Sequence, residues 1–177
     1  MRSRVFLLEV LVCLLFTAAG LCACGASGDA QLADCPFSQL NWNSSIREVV
    51  AVEGEEHGSY DSVYGGVCYT YPREFEERMG TVKYMFDGDG ALASIAWAWG
   101  TDSQEELLSL YHTIYDSVSA QCGESGYSAE HQTNYGGVWY RDNGDIILSV
   151  MITSETKALQ FSFLSPAVSS GGQAEAR

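Results

Sequence analysis

Basic side chains are scarce in this 177-residue chain: nine Lys and Arg stand against 23 Asp and Glu, a formal charge of −14. No Lys/Arg cluster is available to displace phosphate counterions, so bare nucleic acid and anionic lipid headgroups are excluded as partners. The three histidines, His57, His112 and His131, are scattered and carry no metal-ligand spacing. The six cysteines contain no C-x-x-C pair, which leaves zinc sites and thioredoxin-like exchange without support. Gly-x-Ser-x-Gly is also missing, and with it the nucleophile elbow of a serine hydrolase. No cofactor and no metal is expected.

What is present begins at the N-terminus. Arg2 and Arg4 precede a mostly apolar run broken by Glu9, and the small residues Thr17 to Gly20 follow it. A charged start, an apolar middle and a small-residue exit describe a secretory signal. The run of roughly sixteen residues is short of the about twenty that span a bilayer. Leu21-Cys22-Ala23-Cys24 resembles the bacterial lipoprotein cleavage box. The resemblance implies that residues 1–23 are removed and that Cys24 carries the lipid, anchoring the chain to the cell membrane on its extracytoplasmic side. Losing Arg2, Arg4 and Glu9 leaves seven basic and 22 acidic side chains. Cys35, Cys68 and Cys122 then remain, an odd number from which one disulfide could form and no pair can be chosen.

Residues 24–39 are small and polar and read as a flexible tether, and 165–177 as a disordered tail. The body, 40–164, repeats itself over about 40–100 and 101–164. Tyr64-Gly65-Gly66-Val67-Cys68-Tyr69 returns as Tyr135-Gly136-Gly137-Val138-Trp139-Tyr140, and Gly54-Glu55 as Gly123-Glu124. Ser45-Ile46-Arg47-Glu48 is a capping box that opens one helix ending at Gly54. Asp102 or Ser103 caps the other, where Leu107, Leu108, Tyr111, Ile114, Tyr115 and Val118 recur at helical spacing before Gly123.

Three strand-like pieces follow each helix: 66–71, 81–87 and 91–100, then 137–141, 145–153 and 157–164. Asp87-Gly88-Asp89-Gly90 and Asp142-Asn143-Gly144-Asp145 carry the Asp/Gly content of tight turns. The expected fold class is α+β: two tandem helix-plus-three-strand antiparallel repeats, with the helices packed on one sheet face.

The first half, with a helix ending at Gly54 and then Val82, Tyr84, Phe86, Asp87, Asp89, Gly90 and Leu92, resembles the repeat of the β-lactamase-inhibitor-protein-like family. It is similar as well to the small outer-membrane assembly lipoproteins built on one such unit. The second half departs from the pattern, its Asp/Gly turn lying one strand earlier. The resemblance implies a binding or inhibitory surface on an exposed sheet rather than catalysis.

Tyr69, Tyr71, Trp97, Trp99, Trp139 and Tyr140 are the candidate binding surface, since Trp and Tyr anchor protein interfaces and stack on sugars. The competing expectation places these rings under the helices. Ser154-x-x-Lys157 matches a penicillin-recognising pattern without its companion motifs. Asp61, Asp87 and Asp89 do not make a complete calcium loop. The leading expectation is a non-enzymatic binding protein whose partner is an extracellular or envelope protein or a glycan. The alternatives are an envelope hydrolase using carboxylates such as Asp87 or Glu130, and a structural assembly factor.

Overall fold

A computed structural model describes residues 35–55, 58–131 and 134–169. The cleavage box, Cys24 and His57 lie outside the described residues. Helix α1 (Ile46–Glu53) is followed by strands β1 (Gly58–Asp61), β2 (Gly65–Phe75), β3 (Arg78–Asp87) and β4 (Leu92–Gly100). Helix α2 (Gln104–Cys122) is followed by β5 (Tyr127–His131), β6 (Asn134–Trp139), β7 (Ile146–Ile152) and β8 (Lys157–Leu164). All eight strands join one antiparallel sheet in the order β1-β2-β3-β4-β8-β7-β6-β5.

This corrects the helix-plus-three-strand expectation. Four strands follow each helix, and the halves merge along β4 and β8 into a single sheet instead of forming two separate units. The strands missing from the sequence reading, β1 and β5, are the two sheet edges. An edge strand needs no alternating apolar face, and Gly58-Ser59-Tyr60-Asp61 and Tyr127-Ser128-Ala129-Glu130-His131 have none.

The repeated hexapeptide also proves to be out of register. Trp139 faces the helices and is buried in the main core, whereas Cys68 pairs with Tyr60 and Met85 and is buried in a small cluster on the other side. A register shift between Gly65 and Cys68 accompanies the difference, and an odd displacement along a strand exchanges its faces.

Both helix starts form as their residues dictate. The Ser45 hydroxyl accepts from the Glu48 amide, while Glu48 Oε2 accepts from the Ser45 amide at 2.7 Å. Ser103 caps α2, its hydroxyl accepting from the Glu106 amide at 3.2 Å. The buried stripe of α2 is Leu107, Leu110, Tyr111, Ile114 and Val118. It lies over β6, β7 and β8.

The sheet answers with Val82, Tyr84 and Phe86 on β3, Ile95 and Trp97 on β4, Leu159, Phe161 and Phe163 on β8, and Leu148 and Val150 on β7. Two glycines make room for the tryptophans. A Cβ on Gly80 would stand 2.5 Å from the Trp97 ring, and one on Gly137 would stand 2.7 Å from the Trp139 ring.

The packed body is longer than the sequence implied. Cys35 and Phe37, assigned to the tether, are buried in the core, with Phe37 edge-on to Phe75, Phe161 and Phe163. Trp42 Nε1 donates to the Asn143 carbonyl at 3.2 Å, so the N-terminal arm ties the first half to the second. At the other end Ser165 and Ser169 are buried, and the Ser165 amide donates to the Ala93 carbonyl at 2.8 Å. Among the described residues no helix is long and apolar enough to cross a membrane.

Candidate functional site

Both helices and the N-terminal arm cover one face of the sheet, and that face takes the large rings. Of the six aromatics expected to form a binding surface, Tyr71, Trp97 and Trp139 are buried, and Tyr69 and Trp99 are half-buried against the core. Trp97 Nε1 donates to the Arg73 carbonyl at 2.9 Å and Trp139 Nε1 to the Gly123 carbonyl at 3.1 Å, so both indoles are satisfied internally. The Arg78 guanidinium covers Trp99 at 5.4 Å from the ring centre. Tyr140 alone is exposed, just past the end of β6. The correction follows from volume: burying the largest rings removes the most apolar surface from water.

The opposite face is the open one, and alternation along each strand reads out its residues. Tyr60 leads on β1, Cys68, Thr70, Pro72 and Glu74 on β2, and Met79, Thr81, Lys83 and Met85 on β3. The centre is lined by Ser94, Ala96 and Ala98 of β4 against Leu164, Ser162 and Gln160 of β8. Ile147, Ser149 and Met151 follow on β7, then Val138 on β6 and Tyr127 on β5. Small side chains thus occupy β4 and the middle of β8, and larger apolar ones the flanks. Met79 is 64% exposed, Tyr127 58%, Met151 52% and Tyr60 49%.

Charge is the feature that sets this face apart. Among its described side chains the carboxylates are Glu74 and Asp87, both at strand ends, in a protein of net charge −14. Asp87 is committed to the β3–β4 turn, its Oδ1 accepting from the Asp89 amide at 3.0 Å and the Ala91 amide at 2.9 Å. Lys83 is the single Lys or Arg among those side chains, and its Nζ donates to Gln160 Oε1 at 3.3 Å. It has no ion pair among the described residues. Tyr64 packs over Cys68, Met85 and Ala96, and burial raises the Cys68 thiol above its ordinary range, which keeps it out of nucleophilic chemistry.

Comparison with protein-family models, with curated proteins and with solved structures finds no match to this chain.

A cleft of about 840 Å³ lies beside the N-terminal arm, with Ser38, Gln39, Glu53 and Arg73 among its walls. Its central charges are engaged with each other. The Glu53 carboxylate accepts from both Arg73 Nη2 and the Tyr84 hydroxyl, and that hydroxyl lies 3.2 Å from Ser38 Oγ. Burial, with the Glu53 carboxylate beside it, raises the Tyr84 phenol far above its ordinary range. Cys35 lines the same cleft, its thiol pushed up to about 12 by burial. Such a thiol stays protonated and inert at neutral pH.

The remaining sequence candidates do not converge. Asp87 on β3 and Glu130 on β5 are five strand spacings apart, on the order of 24 Å, too far for a carboxylate pair acting on one glycosidic bond. Ser154 to Lys157 is a strand connection, where Thr153 Oγ1 accepts from the amides of Glu155 and Thr156. No group of three or more His, Cys, Asp or Glu gathers among the described residues. Cys35, Cys68 and Cys122 are all free thiols, the first two on opposite faces of the sheet.

The open-face residues Tyr60, Met79, Tyr127 and Met151 were missed because the sequence reading sought the largest rings. A usable signal was present: on β4 and β8 the face opposite the Trp/Phe side carries Ser, Ala, Gln and Leu but no charge.

Proposed function

We propose that this chain is a lipid-anchored, extracytoplasmic protein that works by non-covalent binding of a protein through the open face of its sheet. One observation supports the reading above the others: a strongly acidic chain confines the carboxylates of this face to strand ends and leaves Tyr60, Met79, Tyr127 and Met151 exposed on it. Depletion of charge with enrichment in Tyr and Met is the composition of an interface centre. A solvated sheet face with no partner would carry the acids found elsewhere on the molecule. The anchor rests on the Leu21-Cys22-Ala23-Cys24 box.

The test is comparative capture from source membranes, with the wild-type chain, the open-face variants Met151→Asp and Tyr127→Asp, and the helix-face variant Arg47→Glu. A partner held by wild type and Arg47→Glu and lost from both open-face variants supports the reading. Equal capture by all four proteins sinks it. Mass spectrometry of the mature N-terminus checks the anchor: an acylated Cys24 supports it, and an unmodified one removes it.

A further inference from the structure

The identity of the occupant can be narrowed by charge, and the narrowing rests on the open-face reading above. The neutral face ends in acid on both sides. Glu76, Glu77 and Glu155 stand at the turns of one end, and Asp87, Asp89 and Asp142 at the turns of the other. The cations near those ends are turned to the helix side. Arg78 covers Trp99, Arg141 covers Phe163, and Lys157 pairs with Ile152, a core-facing position. Among the described residues, what remains on the open side is one ammonium, Lys83, near the centre and hydrogen-bonded only to the neutral Gln160.

We infer that the occupant is a basic protein surface: an apolar patch ringed by Lys and Arg, carrying one Asp or Glu that meets Lys83. A second copy of this chain does not fit, because two such faces would bring like charges together at both ends of the contact. The acid rim steers a basic partner during approach, over a screening distance of about 8 Å at physiological salt. Once docked, the patch excludes water around the Lys83–carboxylate pair. That pair is then worth more than the same pair at an exposed rim.

The test uses the full chain, held by a C-terminal tag, and a phage library of disulfide-closed random 12-residue peptides as the probe. Peptides that bind wild type and lose Met79→Asp and Tyr60→Asp, the exposed open-face positions within a peptide's reach of Lys83, are open-face binders, and melting curves of the two variants confirm that they are folded. The expected open-face binders carry an excess of Lys and Arg around an apolar centre with one Asp or Glu. Their association slows about tenfold or more between 0.05 and 0.5 M salt. Their affinity drops about tenfold with Lys83→Glu, and exchanging the peptide carboxylate for Lys restores it; Lys83→Gln gives a smaller loss without rescue.

Open-face binders that are neutral or acidic, or indifferent to Lys83→Glu, overturn the inference and leave the open-face reading standing. A selection whose binders all ignore Met79→Asp and Tyr60→Asp, or that yields no binder, overturns both.

Discussion

Ala96 of β4 pairs directly with Ser162 of β8 at the seam where the two halves of the sheet meet, with Ser94 paired to Leu164 and Ala98 to Gln160 two residues to either side. Four strands lie on each flank of it. Both residues are buried although they point away from the helices. The two halves of the chain therefore share a seam whose helix side is filled by Ile95, Trp97, Phe161 and Phe163 and whose open side is kept low by small residues. The asymmetry between faces that supports a binding role is sharpest at this seam.

The Trp97 side of the seam is tightly packed. Gly80→Ala places a methyl 2.5 Å from the Trp97 ring and 2.6 Å from the Ala98 carbonyl, with no flexible end to move aside. Overpacking of this kind costs about 1–3 kcal/mol. Thermal and urea unfolding of Gly80→Ala should show that loss. A variant as stable as wild type would mean that β3 and β4 are spaced more loosely than described.

Truncating the buried aromatics and the exposed ones should give opposite results. Trp97→Ala and Trp139→Ala remove fully buried rings and should cost about 3–5 kcal/mol. Tyr127→Ser and Met151→Ser should stay within about 0.5 kcal/mol of wild type, because these side chains are more than half exposed. Urea denaturation of the four variants distinguishes the helix-covered face from the open one.

Removing Arg73 strands a carboxylate. The Glu53 side chain is 6% exposed and Arg73 35%, so part of the pair's interaction is screened by solvent. Arg73→Ala should cost about 2 kcal/mol, below the range for a fully buried pair that loses one member. The double variant Arg73→Ala/Glu53→Gln should recover part of it. A double variant less stable than Arg73→Ala would show that the Tyr84–Glu53 hydrogen bond, not the charge, dominates.

Alkaline pH should destabilise the fold in two stages. The folded Cys35 thiol is raised from 9.0 to about 12 by burial, so its contribution is complete below pH 9 and is lost as the unfolded chain ionises first. The slope from this one thiol is about 1.4 kcal/mol per pH unit. Tyr111, raised from 10.0 to about 12 by burial, and Tyr84, raised further, add their losses only above pH 10. Unfolding free energies measured from pH 8 to 11 should bend near pH 9 in wild type and bend less steeply there in Cys35→Ala, where the buried Cys68 thiol, also raised, keeps the rest of the slope. An unchanged bend in Cys35→Ala would remove the thiol as its cause.

Local signals in the chain were sufficient for every feature that one segment decides. Ser45 with Glu48, the glycines at 54 and 123 and the Asp87 turn are set by hydrogen bonds and dihedral angles within a few residues, and they stand where the sequence placed them; of the two caps it offered the second helix, Ser103 is the one used. The two helices and the six alternating strands were legible for the same reason: one face of each must be buried.

What the tertiary structure alone decided is pairing and facing. β1 and β5 become strands only because β2 and β6 offer them an edge, and Phe37 leaves the expected tether only because three phenylalanines from distant strands receive it. The alternation of β4 separates Trp from Ala faces, but it cannot say which one the helices will cover. That choice is made by total buried area across the whole sheet, a sum over residues far apart in the chain, and it turned the aromatic face inward and left the neutral one open.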